Sequence, residues 1–147
     1  MRRLSFAGAC LTSALVLLGT AAAPAMASTS VPVTIQSTVI VGPFTGTWSA
    51  SGGISDSGTL VEPSVKFVGN GELHIVRDVT GSQGTFTLRI DSKVVAVEPD
   101  GSDVFTGHWV VLAGTGAYAD LHGQGNRSAV VTNGVVTETL TGGVHYD

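Results

Sequence analysis

The chain has 147 residues with 7 basic and 11 acidic side chains, 20 glycines and one cysteine. That length suits one domain, and the absence of a basic cluster or an aromatic-basic stripe argues against a nucleic-acid partner. No segment beyond the amino terminus is long and apolar enough to anchor the chain in a membrane as a helix.

The chain opens with "MRR", followed by the apolar run "LTSALVLLGTAAA" and then "APAMA", which places small residues at Ala25 and Ala27. Positive residues, a short apolar core and an A-x-A site make a secretory signal peptide. Cleavage is expected after Ala27, giving a signal peptide over 1–27 and a secreted domain over 28–147. Cys10 precedes the apolar core, as no lipoprotein cysteine does, and it leaves with the signal. The exported domain therefore has no cysteine and depends on its core rather than on disulfides. Losing Arg2 and Arg3 as well leaves 5 basic against 11 acidic side chains, a net charge of −6.

Strand-like runs then alternate with turn residues. "PVTIQSTVIVG" leads into "FTGTWSASG", where Phe44, Trp48 and Ala50 share one face and Thr45, Thr47, Ser49 and Ser51 the other, a period of two. "ISDSGTLVE", "SVKFV" and "ELHIVRDV" follow, the last two joined by Asn70-Gly71. "GTFTLRIDSKVVAVE" reaches Pro99-Asp100-Gly101 and "DVFTGHWVVLA". "NRSAVVT" reaches Asn133-Gly134 and "VVTETLTGGVHY". Asn-Gly between β-rich runs is a hairpin signal because both residues tolerate positive φ. No segment after the signal carries a capped helical stripe. The reading is all-β: about eight strands joined in sequence, closing into a single antiparallel up-and-down barrel. A seven- or eight-stranded sandwich competes, but its longer crossovers have little room here.

The stretch "GTGAYADLHGQG", Gly114 to Gly125, superficially matches a dinucleotide-binding loop. It comes late, after antiparallel-looking strands, and Gly123 and Gly125 break the helix such a loop must open. The alternative is a tight reversal at Gly114 and Gly116, with Tyr118 and Leu121 tucked beneath, and Gly123 and Gly125 admitting the next strand through a bend or bulge. The segment also resembles the G-T-G-x-[apolar]-A-x-L-x-G-x-G signature of allene oxide cyclase-like, calycin-like barrels, with "GTFTLR" and "TGGVHY" similar to neighbouring segments. The resemblance implies a barrel fold and exported bacterial relatives of unassigned activity, beside plant cyclases acting on oxidised fatty acids and bacterial cyclases closing polyketide rings. No cyclase residue maps onto a position here.

His74, His108, His122 and His145 show no metal-site spacing and read as surface residues, although His74 and His108 could meet across a barrel. No G-x-S-x-G elbow occurs. Two charged residues are more informative. Arg77 shares a face with Leu73 and Ile75, and Glu138 alternates with Val136 and Leu140. A place near a strand end, or a bulge turning them to water, is the simpler expectation. If both point inward they must pair with each other or with a polar ligand. Phe44, Trp48, Phe86, Phe105 and Trp109 alternate as core-filling residues do. An eight-stranded barrel is either filled or holds one small ligand. The candidate cavity lining is Trp48, Arg77, Phe86, Trp109 and Glu138.

Three functions fit. The first is an exported barrel binding a small apolar or amphipathic molecule in its interior, with no cofactor or metal. The second is a cyclase or isomerase that folds its substrate by shape, with Arg77, Glu138 or a histidine polarising it. The third is a filled barrel acting through its surface loops. "NRS", Asn126 to Ser128, matches a glycosylation acceptor. Amino-terminal sequencing of protein recovered from a culture supernatant should read from Ser28; a chain still starting at Met1 would overturn the signal-peptide assignment.

Overall fold

The computed structural model describes residues 28–147, and the predicted signal peptide over 1–27 lies outside the described residues. Eight strands follow one another: β1 (Val31–Ile40), β2 (Thr45–Gly52), β3 (Asp56–Gly69), β4 (Glu72–Gly81), β5 (Gly84–Val97), β6 (Asp103–Gly116), β7 (Leu121–Thr132) and β8 (Val135–Tyr146). Each pairs antiparallel with the next, and β8 pairs with β1. The chain is a closed up-and-down barrel, with no helix among the described residues. Each strand has a hydrogen-bonded neighbour on both sides, and the sandwich alternative falls.

The turns follow from local chemistry. At Asn70-Gly71 and Asn133-Gly134 both central residues have positive φ, 51° and 74°, 51° and 75°. This is the geometry whose twist matches that of the flanking strands. Pro63 does not end a strand. "ISDSGTLVE" and "SVKFV" are one strand, β3, and Glu62 and Pro63 together oppose the single residue Arg77 as a bulge. A bulge leaves one residue outside the ladder, which suits a proline with no N–H to donate.

Alternation sorts the side chains. On β1, Val33, Ile35, Ser37 and Val39 are buried, while Thr34, Gln36 and Thr38 face outward. The outer wall is therefore largely hydroxyl and amide there, unlike the apolar band of a lipid-facing barrel. The lumen is too narrow for a bulky residue from every strand at each level. Small residues make the room: Trp48 lies opposite Gly58, and Trp109 opposite Gly125, which in turn faces Gly142.

The two ends of the barrel differ. One carries the turns over 53–55, 82–83 and 117–120 and is sealed. Trp48 meets Phe86 edge-on with centroids 5.3 Å apart, and Phe86 meets Tyr118 in the same way at 5.2 Å. Ile54, Leu121 and Val144 complete the plug. The Asp56 carboxylate ties three turns together. It accepts from the Ser82 N–H and hydroxyl (3.1 and 2.7 Å), the Gln83 N–H (3.2 Å) and the Tyr118 hydroxyl (2.7 Å). These bonds, that of Ser82 foremost, hold the Asp56 carboxyl far below the usual carboxylate range. Burial, then the bond to Asp56, pushes the Tyr118 phenol well above its ordinary value. The glycine-rich stretch is thus a corner: Tyr118 and Leu121 lie buried under the turn. Of the expected bend or bulge at Gly123 and Gly125, no bulge is present: β7 keeps an unbroken register with β8, and its pairing with β6 runs unbroken from Gln124 onward. Gly123 leaves space for Val144 and Trp109, and Gly125 lets the Thr141–Gly142 backbone of β8 come close.

A Cβ on Gly142 would run into the Gln124 carbonyl and the Gly125 Cα and stand 2.8 Å from the Trp109 ring. Gly142→Ala should therefore destabilise the fold by about 1–3 kcal/mol, as overpacking does, seen as a lower urea midpoint. An unchanged midpoint would mean that the Trp109 layer is looser than described.

Candidate functional site

Midway along the lumen the apolar core gives way to charge. Arg77 on β4 and Glu138 on β8 both point inward and are 1% and 3% exposed. The expectation of a solvated place near a strand end is thereby corrected: Arg77 stays in register with the core, and the bulge that matters lies on β3, where Glu62 alternates inward with Leu60 and meets Arg77. Arg77 donates through Nη1 to Glu138 and through Nε and Nη2 to Glu62 Oε1, the Nε bond being 3.1 Å. Arg127 on β7 donates through Nε to Glu138 Oε2 (2.6 Å) and through Nη1 to the Ser92 hydroxyl (2.7 Å). Ser37 donates to Glu138 and accepts from Arg77 (3.2 Å), while Ser92 donates to the Thr106 carbonyl (3.1 Å).

The four ions form an alternating chain, Glu62, Arg77, Glu138, Arg127, with no net charge. Its inner members are saturated. Burial alone would raise the Glu138 carboxyl, but Arg77 and Arg127 outweigh it and bring it down to about 2. Burial likewise works against the Arg77 charge, and Glu138 and Glu62 reverse that, raising it above its ordinary value. The outer members are unfinished. Among the described residues Glu62 Oε2 and Arg127 Nη2 have no partner, and neither is sealed from solvent.

Both belong to the wall of a cavity of about 210 Å³ at the other end of the barrel, that of the turns over 41–44, 70–71, 98–102 and 133–134. Its sides are Val41, Phe44, Val65, Leu73, Phe105 and Val131, with Asp103 and the rim residue Phe67. Phe67 is 77% exposed although it lies on the inward face of β3, opposite Leu73. Phe44 is held at φ 51°, a conformation costly for a bulky residue. That geometry lets its carbonyl accept the Glu62 N–H (2.8 Å) and brace the bulge.

Of the residues expected to line a cavity, the structure brings Arg77 and Glu138 together beneath the floor of this one. Trp48, Phe86 and Trp109 pack in the sealed half, with Trp48 Nε1 donating to the Thr80 carbonyl (3.0 Å) and Trp109 Nε1 to that of Thr141 (3.3 Å). Glu62, Arg127, Phe67, Ser37 and Ser92 were not foreseen. Ser37 shows its face by alternating with Ile35 and Val39. Arg127 is masked by small and polar neighbours, and Glu62 by Pro63, which makes its strand read as ending there.

The histidines are all on the outer wall. His74 and His108 do not meet across the lumen: they flank Asp91 on adjacent strands, His74 Nδ1 bonding its carboxylate. His122 and His145 stack with centroids 5.3 Å apart, and His122 Nε2 lies 3.0 Å from Asp147. Among the described residues no three metal-ligating side chains converge. Asn126 is exposed in the middle of β7.

Comparison with protein-family models, curated proteins and solved structures finds no match to this chain.

Glu138 titrates lower in the folded chain, about 2, than its ordinary value of 4.5. Its stabilisation is therefore complete above pH 4.5 and is lost as pH falls from there towards 2. Urea midpoints should drop across that window. Glu138→Gln should flatten the drop and cost about 3–5 kcal/mol at pH 7, because it leaves buried Arg127 without a carboxylate and Arg77 with Glu62 alone. Wild-type stability in this variant would mean that the carboxylate is not their partner.

Proposed function

We propose that this chain is an exported β-barrel that binds a small apolar or amphipathic molecule at its open end. The single observation that carries the reading is the cavity beside the ion chain, whose largely apolar wall includes Asp103 together with Glu62 and Arg127, each of the last two keeping a side-chain atom unpaired among the described residues. Sites for small molecules have this composition, mostly apolar with a few placed polar groups. Exposed Phe67 and left-handed Phe44 add support, since both are unfavourable for the free protein and both face the cavity. A cyclase or isomerase would need a reacting group directed into this space, and no residue is assigned that role. The filled lower lumen suits a barrel acting through its loops, but such a barrel has no use for an apolar recess with a charged floor.

Toluene is the simplest probe. Methyl-resolved NMR titration should give saturable shifts at Val41, Val65, Leu73 and Val131, with Val33 and Leu88 in the packed lumen unmoved. Native mass spectrometry of protein from its own culture supernatant should retain an organic molecule of low mass. Absence of a saturable shift at the open-end methyls would defeat the reading.

A further inference from the structure

The walls of the cavity ask for an apolar body, and its floor is selective about what that body carries. Arg127 has committed Nε to Glu138 and Nη1 to Ser92, so Nη2 is the donor left over. Glu62 has committed Oε1 to Arg77, so Oε2 is the acceptor left over. Both residues contribute to the cavity wall, and Asp103 adds a second carboxylate there. The ions within reach of a guest are thus one guanidinium and two carboxylates, above a second guanidinium and a third carboxylate that neutralise each other.

An anionic head such as a carboxylate would satisfy Arg127 but lie against Glu62 and Asp103 and leave Oε2 without a donor. A cationic head such as an ammonium would satisfy the carboxylates but offer nothing to Nη2 while carrying its charge up to Arg127. In a site of low dielectric either mismatch is expensive. A neutral group that donates and accepts at once completes both ends of the chain without adding charge.

Size narrows the body. A dry apolar cavity of about 150 Å³ is enough to hold benzene, and drug-sized ligands occupy about 300–1,000 Å³. At about 210 Å³ the open end suits one ring, or a short branched chain, with one small substituent, and not a long acyl chain. We propose that the open end selects a neutral, single-ring-sized molecule bearing one hydroxyl or primary amide, held head-down between Arg127 Nη2 and Glu62 Oε2 with its apolar end under Phe67. This rests on the reading of the open end as a ligand site.

The test is a probe series on the intact wild-type barrel at pH 7, followed at the same methyl resonances: toluene, p-cresol, benzamide, benzoate and benzylamine. p-Cresol and benzamide should bind about tenfold tighter than toluene, the size of one hydrogen bond to a charged group. Benzoate and benzylamine should bind more weakly than either. Intermolecular NOEs should place the p-cresol methyl near Phe67 and Val41, and the protons flanking its hydroxyl near Ile75. Equal binding of toluene and p-cresol, tightest binding of benzoate or benzylamine, or a p-cresol methyl directed at Ile75 would overturn the head-group assignment while leaving the open end a ligand site. If no probe in the series shifts those methyls, the ligand-site reading fails and this inference fails with it.

Discussion

Two guanidinium groups and two carboxylates sit inside a cylinder otherwise filled with hydrocarbon, and the rest of the structure is arranged around keeping them paired. Any one of them alone in that lumen would cost several kcal/mol. Six strands contribute to the pairing: Glu62 from β3, Arg77 from β4, Arg127 from β7, Glu138 from β8, and the hydroxyls of Ser37 and Ser92 from β1 and β5. Such a cluster is weak evidence of net stabilisation, since hydrocarbon of equal volume often serves as well. Its physical consequence is register. A slip of one residue on β4, β7 or β8 would carry a charge out of the lumen and leave its partners buried and unpaired, besides turning the apolar set to water. The ion chain thus penalises the misalignments that a wall of similar Thr- and Val-rich strands would otherwise tolerate.

An alternating chain of four ions has two interior members and two terminal ones, and the terminal ones are under-coordinated by construction. Had Glu62 and Arg127 lain in the sealed half, each would have needed a further partner. They lie instead where the lumen widens into the open end, in contact with a space a guest or water can enter. The local backbone serves this placement. The Glu62-Pro63 bulge sets the carboxylate opposite Arg77, and Phe44 adopts a left-handed conformation that presents its carbonyl to the Glu62 N–H. Strained backbone at one point, and at the point where the ion chain meets the cavity, is the pattern expected where geometry is held for use.

The barrel was legible because its signals are local and repeated. Asn70-Gly71 and Asn133-Gly134 prescribe hairpins, and alternation along "PVTIQSTVIVG" or "VVTETLTGGVHY" prescribes two-faced strands, so consecutive antiparallel pairing follows. The site was half legible. Alternation put Arg77 with Leu73 and Ile75, and Glu138 with Val136 and Leu140, which identified the face they share. It carried no information on their height along the barrel axis, and height decides between a solvated rim and a buried midpoint. Arg127 escaped because its inward neighbours are Gly125 and Ala129 rather than large apolar residues. Glu62 escaped because Pro63 makes "ISDSGTLVE" read as a run that ends there, although Glu62 alternates with inward Leu60. His74 and His108 were thought able to meet across the lumen, but distance along the chain does not give facing: both alternate to the outside, with Asp91 between them.

The contrast between the two ends of one cylinder separates what the fold requires from what this sequence adds. At the sealed end Trp48, Phe86 and Tyr118 interlock, and Asp56 draws the turns over 53–55, 82–83 and 117–120 onto them, so a barrel of this width can be plugged with its own side chains. The open end has three phenylalanines of its own, Phe44, Phe67 and Phe105, enough aromatic volume to attempt the same plug. They are spread around the cavity instead, Phe67 projecting largely into solvent and Phe44 in a costly conformation. Departures from local rules that return nothing to the free fold concentrate at functional positions. Here they fall on one end of the barrel, around the two ionic groups that the internal network leaves incomplete. A molecule that covered Phe67 and Val41 and bonded to Glu62 and Arg127 would supply what those residues lack, and its binding energy would offset the cost of the Phe44 conformation.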